Sequence, residues 1–159
     1  MLIIAEAIIR LCKKYYIINY EFVKTNQLII KSEELKIMQT QNKTKDIKQR
    51  TFDFSIQTIK LISNFPNKTV YWKIGDQLLR SGTSIGANVT EAQGSLSKKE
   101  FISFYHIALK SAKETVYWLE ILQKSDLIKE SELSWFLDES NQLVKMLTSS
   151  ILTLKRNLN

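Results

Sequence analysis

Gln77-Leu78-Leu79-Arg80-Ser81-Gly82-Thr83-Ser84-Ile85-Gly86-Ala87-Asn88-Val89-Thr90-Glu91-Ala92 decides the fold, because a single helical period writes two different faces into it. At about 100° per residue, Tyr71, Ile74, Leu78, Ser81, Gly82, Ile85, Val89, Ala92 and Leu96 gather on an apolar, small-residue face. Lys73, Asp76, Gln77, Arg80, Ser84, Asn88 and Glu91 gather on the opposite one. Glycine inside a helix costs about 1 kcal/mol relative to alanine, so Gly82 and Gly86, one turn apart, predict a helix-helix contact close enough to offset the loss. On the polar side, Arg80 to Ser84, Ser84 to Asn88 and Asn88 to Glu91 each span one turn. That spacing permits a connected hydrogen-bond row, either a structural network or a contact between subunits.

Working outward, this second helix is expected over 69–94, closed by Gly94. Before it, a first helix over 46–65 carries Phe52, Ile56 and Ile59 on one side and Ile47, Phe54, Leu61 and Phe65 on another, a pattern that predicts burial on more than one flank. Pro66 ends it, since proline disfavours helix in the preceding residue. After it, Ser97 and Glu100 form an S-x-x-E capping box, with Leu96 and Phe101 placed as a hydrophobic staple, and start a third helix over 98–124. Phe101, Tyr105, Ala108, Ala112, Val116 and Leu119 trace its core stripe, and Phe104, Ile107, Trp118 and Leu122 a second apolar flank suited to a further helix or a subunit interface. A last helix over 131–157 carries Leu133, Leu137, Ser140, Val144, Leu147, Ile151 and Leu154, the spacing of a bundle seam. Short connections make consecutive helices antiparallel, so the expected architecture is an all-α, up-down-up-down four-helix bundle over 46–157.

The 159 residues, 44% of them hydrophobic, support one substantial core, and a single proline with four glycines excludes the turn density of an all-β fold. Residues 1–37 differ in character, with Ile-rich and Tyr-rich patches of poor periodicity. A short helix through Ile4, Ile8, Leu11 and Tyr15 and a strand-like segment after it are both weakly written. A polar lead-in follows over 38–45. This composition break, and Glu33-Glu34 whose codons are compatible with a purine-rich ribosome-binding site, suggest that 1–37 is an extension upstream of a start at Met38. The single Cys12 forms no internal disulfide, no secretory signal is visible, and no run of about 18 uncharged apolar residues occurs. The expected compartment is therefore the cytoplasm, without a membrane partner.

The chemistry open to the chain is limited. A di-iron bundle needs several inward Glu residues and Glu-x-x-His pairs, whereas the sole histidine, His106, has Ser103 three residues before it. No phosphate-binding loop matches the glycines, and no nucleophile elbow or oxyanion motif accompanies His106. The expectation is no catalytic residue, metal, cofactor or small-molecule substrate. A formal charge of +7 favours a polyanionic partner. The candidate surface is on the third helix, where Lys99, His106, Lys110 and Lys113 share a face with Ser103 and Tyr117. Such a row either follows a phosphate backbone or is an ordinary solvated lysine face, with Glu114 and Glu120 weakening its potential. Trp72, Trp118 and Trp135 sit at spacings more typical of packing than of base stacking.

Arg50-Thr51-Phe52-Asp53-Phe54, Phe65-Pro66, the run from Gln77 to Ala92, Ser97-Lys98-Lys99-Glu100-Phe101, and Ala108-Leu109-Lys110 with Glu114-Thr115-Val116-Tyr117-Trp118-Leu119-Glu120 together resemble the bacterial four-helix-bundle family of proteins encoded in 23S rRNA intervening sequences. The resemblance spans roughly 46–157, in order, and leaves 1–37 outside. It implies a ring-like homopentamer without recognised catalytic activity. The related accessory variability determinant of diversity-generating retroelements is a basic pentamer that binds nucleic acid and a reverse transcriptase, which makes RNA, DNA or such an enzyme an implied partner here. A protein-only scaffold is the alternative. The family's recurrent polar positions fall on Gln77, Arg80, Ser84, Asn88, Glu91 and Glu114, read as structural, and Ser111 stands where relatives often carry an acid.

Overall fold

The structure, a computed structural model, describes residues 46–156 together with Lys24 and Asn26. The chain divides into two compact units at Thr44/Lys45, and the fold described here is that of the second, Lys45–Asn159. The readings for 1–37 and 38–45 lie outside the described residues, apart from those two.

Four helices make up this unit, α1 Ile47–Ser63, α2 Thr69–Ala92, α3 Lys98–Lys124 and α4 Glu130–Arg156. Neighbours in sequence pack on one another, and α1 meets α4 to close the bundle, so α1 and α3 stand on a diagonal. The expected all-α four-helix bundle is the observed one. Helix ends follow local chemistry. The Asp46 carboxylate accepts from the Gln49 amide at 2.8 Å and starts α1. Before Pro66, the Asn64 and Phe65 amides turn back to Leu61 and Ile62, so α1 stops two residues short of the expected Phe65. Asp126, at φ 53, takes the left-handed conformation just past α3, which a short polar side chain tolerates. The Tyr71 hydroxyl donates to the Leu127 carbonyl at 2.9 Å, tying the start of α2 to the α3–α4 connection.

The core is built from Phe54, Leu78, Ile85, Val89, Leu119, Leu122, Leu133, Leu143 and Leu147, all essentially inaccessible, with Ala108 and Ala112 allowing close approach. The glycines of α2 face α1. A Cβ on Gly82 would lie 3.1 Å from the Thr58 Cγ2, and one on Gly86 would lie 3.2 Å from the Thr51 carbonyl oxygen. Close packing expected at these two positions is therefore present.

Other expectations fail for identifiable reasons. Phe52, Ile56 and Ile59 are not buried but 61%, 39% and 46% exposed, because α2 and α4 cover only the Phe54 side of α1 and nothing in the second unit packs on the other. Leu96 is 98% exposed and makes no staple. Glu100 reaches past Ser97 to accept from the Leu96 amide at 2.9 Å, while Ser97 caps the Glu100 amide at 3.1 Å. On α3, Phe101 and Val116 are half-buried, Ile102 is buried, and Leu122 belongs to the core rather than to an outer flank. On α4 the buried sector is wider than the expected seam, taking in Trp135, Phe136 and Glu139.

A lysine face on α3 and the polar network beside it

Ser97 starts α3 and the helical period does the rest: Lys99, Ser103, Lys110, Lys113 and Tyr117 are exposed and His106 half-buried on the side of α3 turned from the core. At about 1.5 Å per residue, Lys99 to Lys113 extends roughly 21 Å. Among the described residues there are two ion pairs, Arg50–Glu139 and Arg80–Glu114, and neither uses a lysine of this row. The two acids expected to weaken the row differ. Glu114 is held by Arg80 at 3.2 Å, whereas Glu120 is exposed between Tyr117 and a further exposed lysine on this side of the helix, Lys124.

The polar row of α2 splits into two pieces, each reaching α3. Asn88 donates to the Ser84 carbonyl at 2.8 Å and hydroxyl at 3.1 Å, and the Ser111 hydroxyl donates to that of Ser84 at 3.0 Å. Arg80 donates to Gln77 and to Glu114, both at 3.2 Å. Arg80 does not meet Ser84, and Asn88 does not meet Glu91, which is exposed. Arg80 instead follows the stronger attraction of a carboxylate across the helix pair. Ser111 takes a place in this network through its bond to Ser84.

The strongest polar interaction lay outside the expected set. Arg50 Nε and Nη2 donate to the two Glu139 carboxylate oxygens, both at 2.8 Å, with the residues 5% and 3% exposed. Arg50 also donates to Gln142 Oε1 at 2.8 Å and Met146 Sδ at 3.1 Å. A sequence signal existed in Glu139, which falls beside Ser140 on the buried side of α4.

Of the tryptophans, Trp135 is core, packed 6.0 Å from Phe54 and 4.9 Å from Phe136 between ring centroids. Trp72 is exposed and Trp118 half-buried. An open groove of about 510 Å³ between the start of α3 and the end of α4 is lined by Phe101, Tyr105, Met146, Ser150 and Leu154, and none of its lining among the described residues is charged. Burial, with a smaller contribution from the Asp46 carboxylate, holds the Tyr105 hydroxyl above its ordinary pKa. Among the described residues no cluster of three metal-ligating side chains occurs, and no helix is long and apolar enough to cross a membrane.

The chain is similar to a crystal structure of a protein with unknown function from the S23 ribosomal protein family of Bacteroides thetaiotaomicron. The two are 36% identical, with a TM-score of 0.63, over 67% of this chain and 98% of that one. A comparison with curated proteins finds no match. The family described as 23S rRNA-intervening sequence protein matches residues 43–149, a span that takes in α1, α2, α3 and most of α4. The chain belongs to the 23S rRNA-intervening sequence protein family.

Proposed function

We propose that this protein is a non-enzymatic, cytoplasmic, self-associating bundle that binds RNA or DNA along the outer face of α3, with Lys99, His106, Lys110 and Lys113 following the phosphate backbone. The observation that carries the reading is the row itself, its three lysines exposed, His106 half-buried, and none of them paired with a carboxylate among the described residues, on a chain of net charge +7. Lysines along one helix neutralise phosphates without reading bases, so the binding is set by charge and shape. A nucleic-acid enzyme such as a reverse transcriptase would then be reached through the shared polynucleotide. Self-association is favoured by a separate observation, the exposed Phe52, Ile56 and Ile59 stripe, which suits a second copy of this chain. The homopentamer implied by the family resemblance fits that reading.

Fluorescence anisotropy with a labelled RNA pool at several salt concentrations tests the row. Wild-type affinity should fall steeply as salt rises, and Lys110→Glu with Lys113→Glu should weaken low-salt binding by about tenfold or more with unchanged helicity. Binding that ignores both salt and the double substitution would leave the protein-only scaffold as the better reading.

A further inference from the structure

We infer that the ligand of the α3 face is a single strand rather than a duplex, with Tyr117 as the platform on which a base stacks; this rests on the lysine-row reading. Tyr117 lies one turn beyond Lys113 on the same side of α3 and is 56% exposed. A large aromatic so exposed within a cationic row, between Lys113 and Lys124, is poorly explained by folding, because it contributes little to the core.

The ring meets the Trp118 ring edge-on, with centroids 5.0 Å apart and planes at 70°. Trp118 Nε1 donates to Glu114 Oε1 at 3.5 Å, and Glu114 is fixed in turn by Arg80, itself bonded to Gln77. The hydrogen bonds engage Trp118, and its edge contact restricts one side of the Tyr117 ring, which lowers the ordering cost of stacking on the other.

Cations along one line with an aromatic among them fit a strand whose bases are unpaired. A duplex offers phosphates to the lysines, but its bases are already stacked on one another and give Tyr117 nothing to hold. Past Tyr117 the face carries one acid, Glu120, and then a further exposed cation, Lys124, so the strand can continue beyond the ring.

The test measures binding of a single-stranded oligonucleotide and a duplex of the same length to the full chain. Wild type, Tyr117→Phe and Tyr117→Ala are compared, with particle mass followed by light scattering. The expected result is a single-strand preference kept by Tyr117→Phe and lowered about tenfold by Tyr117→Ala, with equal salt dependence and unchanged mass. Salt-sensitive binding without a single-strand preference, or one that Tyr117→Ala leaves intact, would overturn the inference and spare the lysine row. A mass that changes with Tyr117→Ala would place the ring between copies and also overturn it. Failure of wild type to bind either form would remove both readings.

Discussion

Arg50 and Glu139 show how one buried pair can set the geometry of a bundle. Their charges are removed from water, a cost that only good geometry and extra hydrogen bonds offset, and here both carboxylate oxygens are engaged while Gln142 and Met146 take further guanidinium hydrogens. Because the partners sit on α1 and α4, 89 positions apart, the pair fixes the register of the helices that close the bundle. Arg50→Ala should therefore destabilise the fold by about 3–5 kcal/mol, leaving a buried carboxylate alone. Arg50→Met with Glu139→Leu should recover most of that loss, since two apolar side chains leave no orphan charge. Urea unfolding of the three proteins checks this, and a single substitution costing as little as a surface one would contradict it. Sequence alone did not find the pair, because charged residues on amphipathic helices read as solvent-facing and nothing local ties position 50 to position 139.

At the scale of the element, α2 was the most legible helix, and its glycines say why. A missing Cβ is a direct statement about a neighbour's distance, so Gly82 and Gly86 announced the α1 contact that the structure contains. The two sites are not equivalent. A Cβ at Gly86 would meet the Thr51 backbone carbonyl at 3.2 Å, which moves only with α1, whereas one at Gly82 would meet Thr58 Cγ2 and Oγ1 at 3.1 and 3.2 Å, a buried side chain bonded to the Phe54 carbonyl that must give but can do so without its backbone. Alanine also gains about 1 kcal/mol of helix propensity over glycine. Gly82→Ala should therefore cost less than Gly86→Ala, which should lose about 1–2 kcal/mol net. Thermal unfolding would show whether the order holds; equal melting temperatures would mean that α1 yields at both places. Other elements were read less well where the pattern gave apolar identity without saying what covers it. The Phe52, Ile56 and Ile59 stripe on α1 looks like core by period and is open to solvent by packing. Leu96 has the spacing of a staple, yet Glu100 takes the backbone amide beside it and the side chain stays out.

For the whole molecule, the diagonal relation of α1 and α3 joins the two proposed surfaces into one argument. The apolar stripe lies on the outer side of α1 and the lysine row on the outer side of α3, so burying the first between copies leaves the second open. Each added copy then brings another row, and a long strand touching several rows gains affinity without any new contact. The outer side of α4 serves as an internal comparison. Ser134, Asp138, Asn141, Lys145 and Thr148 are exposed there, as expected of a face that meets water. Phe52→Glu with Ile56→Glu should yield a smaller particle of unchanged helicity, while Asn141→Glu should leave particle size unaltered. The smaller particle should bind a short oligonucleotide nearly as well as wild type but lose about tenfold or more on a long one. Light scattering and anisotropy with the two strand lengths separate the outcomes. A double substitution that keeps the wild-type mass would exclude the α1 stripe as the contact between copies, and equal losses on both lengths would mean that the rows act singly.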